Sequence, residues 1–279
     1  MLHVSLFDQF GALNSPPVFA ALEQGLSRLG IKVSHHDMSA DIAVIWSVVW
    51  QGRMKHNQSV WQTFAKTGRP VMVAEVGTLY RGQTWKLALN GTGADAYYGD
   101  HFVPGRAATL GLRLKPWQTT GQDIVIVTQR GDSEQWHGQP TVNTWLKNTV
   151  DRVRSISQRR IRVRPHPRFP VHVPAGCFLD RAVKLPGTVD SFDLDKTLGQ
   201  AWAVINHNSG PAVTAVMAGI PVFCDSSSLA APVGNLDLSL LENPDRPDRE
   251  QWLERLAYTE WTTGEIATGA PLERLLQLR

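Results

Sequence analysis

The chain has 279 residues, 42% of them apolar and 19% charged, with a formal net charge of +3, which excludes a disordered or fibrous chain and a strongly polycationic nucleic-acid coat. That length suits two domains of roughly 120–150 residues each. The opening MLHVSLFDQF lacks a basic leader, no run reaches the ~18 apolar residues of a membrane span, and Cys177 and Cys224 have no metal-ligand spacing, so a cytoplasmic protein without a metal is expected.

The first half alternates between strand and helix patterns. Residues 2–7 predict a strand, 8–17 a loop, 18–29 an amphipathic helix ended by Gly30, and 31–35 a second strand. Residues 41–49, DIAVIWSVV, form a nearly continuous apolar run, as in a strand buried on both faces of a parallel sheet. Residues 59–66 predict a helix closed by Gly68, and 70–74 a strand that brings Glu75 and Gly77 to its carboxyl end. Residues 80–116, rich in Gly, aromatics and Arg, are expected to hold irregular structure and short elements near the domain boundary.

The second half restarts the pattern. Residues 123–128 predict a strand ending in Gln129, Arg130, Gly131 and Asp132; residues 142–156 predict a long helix. Arg160–Arg164 reads as a strand running into Pro165, His166, Pro167 and Arg168, while residues 177–185 give only a weak pattern. A helix over 192–201 precedes the stretch 202–225, WAVINHNSGPAVTAVMAGIPVFCD, read as strand 203–206, a turn His207-Asn208-Ser209-Gly210, helix 211–218 and strand 221–224. Pro211 suits the first helical turn, Asn208 or Ser209 can cap it, and Gly219 can close it. From Asp248 the pattern is helical, with a break expected at Thr263 and Gly264.

This α/β alternation predicts two Rossmann-like domains facing across a cleft, residues 1–116 and 117–247, with C-terminal helices over 248–279 crossing back to the first. That is the GT-B architecture, whose ligand site lies between the domains.

Chemistry concentrates at the predicted strand ends. Alternation puts Arg160, Arg162 and Arg164 on one face, and the flanking prolines stiffen the backbone around His166, a set suited to a phosphate or pyrophosphate. The turn His207, Asn208, Ser209 and Gly210 presents backbone N–H groups and polar side chains at a helix N-terminus, a ready anion site. Gln129 and Arg130 suit donor binding, and Asp132 is either a carboxylate near a reaction centre or a helix cap. Glu75 ends a strand of the first domain, Gly77 gives the backbone room, and Arg81 can pair with Glu75 or a ligand. A carboxylate on one domain facing phosphate ligands on the other fits group transfer to a hydroxyl. Residues 91–99, GTGADAYYG, are no dinucleotide fingerprint, and there is no Walker A, HExxH or convincing DxD motif; His35-His36-Asp37 reads as a surface turn.

Taken together, E-x-G-x-x-x-R (Glu75, Gly77, Arg81), Q-x-x-D (Gln129, Asp132), R-P-H-P-R (residues 164–168) and H-N-S-G…A-G-I-P-V (residues 207–222) resemble the capsule-polysaccharide-type GT-B glycosyltransferases, which include the bacterial β-Kdo transferases, and their compact phage-encoded relatives. The resemblance covers roughly residues 70–225. It implies a glycosyltransferase with a nucleotide-sugar donor, no metal and no other cofactor. The first domain would take the acceptor and the second the donor. Gln129, Arg130, Arg164, His166, Arg168, His207, Asn208, Ser209 and Gly210 would bind the donor, with Asp132 or Glu75 serving the transfer. Residues 256–269 are similar to small phage proteins of this group, which makes a 5-hydroxymethylpyrimidine of double-stranded DNA, in a host cytoplasm, the leading acceptor. Arg81, Arg106, Arg113 and Trp117 are the candidate acceptor contacts, and Lys115, Arg152, Arg154, Arg159 and Arg160 extend a basic track. A capsule or lipopolysaccharide sugar is the alternative acceptor, and a non-catalytic nucleotide- or DNA-binding module the alternative of another class. No obligate protein partner is inferred.

Overall fold

Buried β-branched runs at two places in the chain nucleate two sheets. The computed structural model describes residues 1–188 and 191–277. Numbered in chain order, the strands are β1 (His3–Leu6), β2 (Lys32–His35), β3 (Ile42–Trp46), β4 (Val71–Val76), β5 (Thr84–Leu89), β6 (Asp123–Val127), β7 (Arg160–Arg164), β8 (Phe178–Leu179), β9 (Ala201–Asn206), β10 (Val222–Phe223) and β11 (Glu260–Thr262). The helices are α1 (Pro16–Arg28), α2 (Asn57–Lys66), α3 (Arg106–Thr109), α4 (Val142–Arg154), α5 (Leu194–Leu198), α6 (Gly210–Met217), α7 (Glu250–Leu256), α8 (Thr263–Thr268) and α9 (Ala270–Leu276).

Contacts divide the chain into a first unit of Met1–Leu110, Asp132–Gln135 and Glu254–Arg279 and a second of Gly111–Gly131 and Trp136–Leu253. The boundaries thus fall a few residues from the expected 116/117 and 247/248 positions. The short piece Asp132–Gln135 groups with the first unit, not with the second, where it was expected.

The first sheet has the order β11-β5-β4-β3-β1-β2, parallel from β4 through β2. Every residue of β3 is buried, because both faces are covered. Val44 and Trp46 join Met72 and Ala74 against Leu22 and Leu26 of α1 and Ile266 and Leu272 of α8 and α9. Ala43 and Ile45, on the opposite face, join Val71 and Val73 against Val60 and Phe64 of α2. Gly25 lets α1 approach α8 this closely: a Cβ there would stand 2.2 Å from the Ile266 carbonyl oxygen.

One strand here departs from the sequence reading. The stretch expected to hold irregular structure and short elements contains β5, antiparallel to β4, whereas the stretch expected to be helical contains β11, antiparallel to β5. The polar residues Lys86 and Glu260 interrupt both apolar patterns, and pairing with a distant strand supplies what local propensity lacks. The helix break falls at this strand, and Thr262 then starts α8 with a capping box to Glu265.

The second sheet, β10-β9-β6-β7-β8, is parallel throughout. Ile124, Ile126, Ile161 and Val163 pack on Leu146, Val150 and Val153 of α4. The helix expected over 192–201 shortens to α5, since Ala201 already belongs to β9.

Candidate active site

In the second unit the parallel strands end on one edge of the sheet, and the polar turn residues follow one another along it. Gln129 follows β6, His166 follows β7, His207 and Asn208 follow β9, and Asp225 follows β10. Ligands of open α/β sheets bind at such carboxyl edges.

The centre of this edge is locked by side chains that face each other. The Gln129 amide donates to Asn208 Oδ1 at 2.8 Å, and the Asn208 backbone N–H donates back to Gln129 Oε1 at 3.1 Å. The Asn208 amide also donates to Ser227 Oγ at 2.9 Å, and the Ser227 hydroxyl donates to Asp225 Oδ1 at 2.6 Å. The His207 ring stands edge-on to Trp136, with centroids 4.9 Å apart. Burial pushes the Asp225 carboxyl up, but the Ser227 hydroxyl and N–H and the nearby His207 outweigh it, leaving Asp225 below its ordinary value.

The expected caps of α6 serve elsewhere. Ser209 is the N-cap residue but makes no side-chain cap bond; its hydroxyl accepts from the Asn206 amide at 2.9 Å, and its N–H donates to Asn206 Oδ1 at 2.8 Å. The first turn of α6, beginning at Gly210 and Pro211, therefore keeps the partial positive charge of its N-terminus for another acceptor.

At the end of β7 the chain makes a tight turn, closed by the Phe169 N–H donating to the His166 carbonyl at 3.0 Å. His166 Nδ1 accepts the Arg168 backbone N–H at 3.1 Å. With Nδ1 accepting, a neutral His166 ring has its proton on Nε2. Arg130 is half-buried and Arg168 exposed on the same loops.

Arg164 requires a correction. Its guanidinium is 4% exposed, pairs with Asp193 at 2.8 Å and Asp180 at 3.4 Å, and donates to Thr197 Oγ1 at 2.7 Å. Arg164 braces the strand below His166 and is not presented to a phosphate. Arg160 and Arg162 are likewise committed to Asp123, at 2.6 and 2.7 Å. Burial would raise the Asp123 carboxyl, but these two guanidiniums hold it below its ordinary value.

In the first unit, Glu75 is the next-to-last residue of β4 and is half-buried. Ser47, which follows β3 with a left-handed φ of 60°, donates from Oγ to Glu75 Oε1 at 3.2 Å. Strand pairing puts Lys86 of β5 directly opposite both Glu75 and Glu260, so a lysine separates two carboxylates on one face. Glu260, 1% exposed, accepts the N–H groups of Thr78 and Leu79 and the Thr84 hydroxyl. Gly77 leaves the space for it: a Cβ there would meet Glu260 Oε2 at 2.3 Å. Nearby Tyr98 is pushed well above its ordinary value by burial, then by the negative charges of Glu75, Glu260 and Asp95.

Asp132 groups with Glu75's unit. Its carbonyl accepts the Trp50 N–H at 3.0 Å, the Glu134 N–H donates to the Val48 carbonyl at 2.9 Å, and Trp50 Nε1 donates to Glu134 at 3.1 Å. The segment is thereby held on the loop that follows β3 and Ser47. Both predicted carboxylates thus belong to the first unit.

The predicted acceptor residues divide between the two units, Arg81 and Arg106 in the first, Arg113 and Trp117 in the second. Arg81 is exposed beside Thr84, and Arg113 is exposed. Trp117, also in the second unit, donates to the Pro247 carbonyl at 2.8 Å beneath the Arg249 guanidinium. Arg106 is an internal staple: it bonds the Ala257 and Glu260 carbonyls and Glu265, with its guanidinium 3.9 Å from the Trp261 ring centre. Arg159, too, is taken up, by Glu242, the Gly121 carbonyl and the Trp202 ring. Ser47, Lys86 and Glu260 were absent from the sequence reading.

Among solved structures, the chain is similar to a β-Kdo 2,4-transferase KpsC of Thermosulfurimonas dismutans, with 13% identity over 92% of this chain and 90% of that one and a TM-score of 0.53. It is also similar to a β-Kdo 2,7-transferase KpsC from the same organism, with 16% identity over 100% of both chains and a TM-score of 0.55. The fold is GT-B. No protein-family model matches the chain, and no curated protein sequence matches it significantly.

Proposed function

We propose that the chain is a glycosyltransferase that moves a sugar from a nucleotide-sugar donor to a hydroxyl acceptor. The observation that carries this reading is the second unit's carboxyl edge, where α6 begins without a side-chain cap beside a locked Gln129–Asn208 pair and the turn of His166. Such an edge suits the donor phosphates. The acceptor hydroxyl would lose its proton to Glu75, held by Ser47, with Asp132 the other candidate base. The acceptor oxygen then bonds to the anomeric carbon as the bond from that carbon to the phosphate oxygen breaks. The electron pair leaves with the nucleotide, and the α6 N-terminus, His166 and Arg130 offset its charge. These groups supply the positive field from the chain itself, so the proposed transfer uses no metal.

For the acceptor we favour a glycan hydroxyl over DNA. Arg106, Arg159 and Arg160, counted toward a basic track, are engaged in internal contacts, and the first unit carries Glu75, Asp132 and Glu134 around its strand ends. The similar structures are named as Kdo transferases, so a Kdo-like sugar is the first donor to try. Among described residues no helix is long and apolar enough to cross a membrane.

The test incubates the protein with CMP-Kdo and a panel of nucleoside diphosphate sugars, each offered a Kdo-terminated oligosaccharide or hydroxymethylated duplex DNA, and weighs the products. A heavier oligosaccharide supports the favoured acceptor, and a heavier nucleoside transfers the assignment to DNA. Absence of both, with no nucleotide-sugar binding by calorimetry, overturns the reading.

A further inference from the structure

We propose a binding site for a divalent transition-metal ion, Zn2+ foremost, formed by Asp8, His35 and His36 with Glu23 behind it. It lies at the carboxyl ends of β1 and β2, two strands away from β4 and Glu75, and does not depend on the transferase reading. Asp8 opens the turn after β1, His35 ends β2, and His36 follows it.

Three observations support the site. Each residue offers one ligand atom, and the three atoms lie within 4.8 Å of one another. Asp8 Oδ1 is 2.9 Å from His36 Nε2, and Asp8 Oδ2 is 3.3 Å from His35 Nδ1. Two ligands around a tetrahedral ion with bonds of about 2.0–2.1 Å stand about 3.3 Å apart. Small side-chain rotations would therefore close the cluster on an ion.

The second observation lies behind His35. Its other ring nitrogen, Nε2, faces Glu23 Oε1 at 3.5 Å. A carboxylate behind a metal-bound imidazole fixes its tautomer and strengthens it as a ligand. Glu23 and Asp8 also supply two negative charges to offset the ion.

The third concerns His36. Its backbone is held at a left-handed φ of 54°, a conformation that non-glycine residues rarely adopt. The ring is walled by Phe7 and Phe10, at centroid distances of 5.7 and 6.0 Å, and Nδ1 is buried without a hydrogen-bond partner. An ordinary surface turn gains nothing from a strained backbone, which follows if the turn is kept to aim Nε2 at an ion. Two imidazoles and a carboxylate are the donor set of Zn2+, Co2+ or Ni2+ and not of Ca2+ or Mg2+, and three protein ligands leave a fourth position for water.

The test uses tag-free protein stripped with a chelator, titrated with Zn2+ by calorimetry and with Co2+ by visible absorption. One equivalent should bind, and Co2+ should develop the d–d bands of a low-coordinate site. His36→Asn, which suits the left-handed backbone, and Asp8→Asn should each weaken binding at least ~10-fold, and Glu23→Gln should weaken it by about 10-fold. His172→Gln, outside the cluster, should bind as the parent does. If His36→Asn fails to fold, His35→Gln takes its place. No stoichiometric uptake by the parent, or unchanged affinity in the ligand variants, overturns the site.

Discussion

Gln129 and Asn208 are tied by two reciprocal hydrogen bonds that join the ends of β6 and β9. The pair is buried, at 4% and 9% exposure, so each polar group depends on the other. Gln129→Leu strips the Asn208 N–H and Oδ1 of their partner and should cost about 1–3 kcal/mol, read as a lower urea midpoint with unchanged slope. Because the turn starting α6 is set by this pair, nucleotide-sugar affinity should fall as well. Unchanged affinity in the folded variant would detach the pair from the donor site.

Arg164 gives a different expectation from the one its motif suggests. Arg164→Met leaves Asp180 and Asp193 facing an apolar chain, and breaking such a pair costs about 3–5 kcal/mol when fully buried. The carboxylates here are 17% and 19% exposed, so the lower end is expected. The Arg164 hydrogen bond holds the Asp193 carboxyl below its ordinary value. A depressed carboxylate stabilises the fold above its unfolded value of about 3.9, and that contribution fades as pH falls through the lower folded value. Unfolding followed from pH 6 to 2 should therefore show a shallower acid limb in Arg164→Met than in the parent.

Those two residues show what could be read in advance. The βα alternation was legible because strands covered on both faces leave long apolar runs, as residues 41–49 do, and the pattern Arg-Ile-Arg-Val-Arg marks β7 by its period alone. Strand-end residues such as Glu75, Gln129 and His166 follow from the same alternation. What stayed hidden depends on partners remote in the chain. Glu260 reaches the Thr78 N–H across 182 residues, and no local signal distinguishes it from an exposed glutamate on a helix. Arginines suffer most, because Arg106 and Arg113 look alike until the carbonyls and carboxylates around the first are in place.

Arg106 therefore separates a staple from a ligand contact. Arg106→Met removes the bonds to the Ala257 and Glu260 carbonyls and to Glu265, and the stacking on Trp261. A loss of about 2–3 kcal/mol is expected, measured by chemical unfolding. Arg113→Ala, at an exposed position, should change stability by no more than about 0.5 kcal/mol. Equal stability of both variants would return Arg106 to the candidate acceptor contacts.

Glu75 carries the sharpest expectation for the chemistry. Glu75→Gln keeps its size and its contact with Ser47 while removing the basicity that taking the acceptor proton requires. Turnover should fall about 10²–10⁴-fold. Nucleotide-sugar affinity should stay unchanged by calorimetry, because the proposed donor contacts lie on the second unit. Ser47→Ala removes the hydroxyl 3.2 Å from Glu75 Oε1 and should lower kcat by a smaller factor with KM retained, since it frees the carboxylate without deleting it. Asp132→Asn provides the comparison within the same unit. Should Asp132→Asn abolish turnover while Glu75→Gln preserves it, the base is Asp132, and the Ser47–Glu75 contact is a brace for the end of β4.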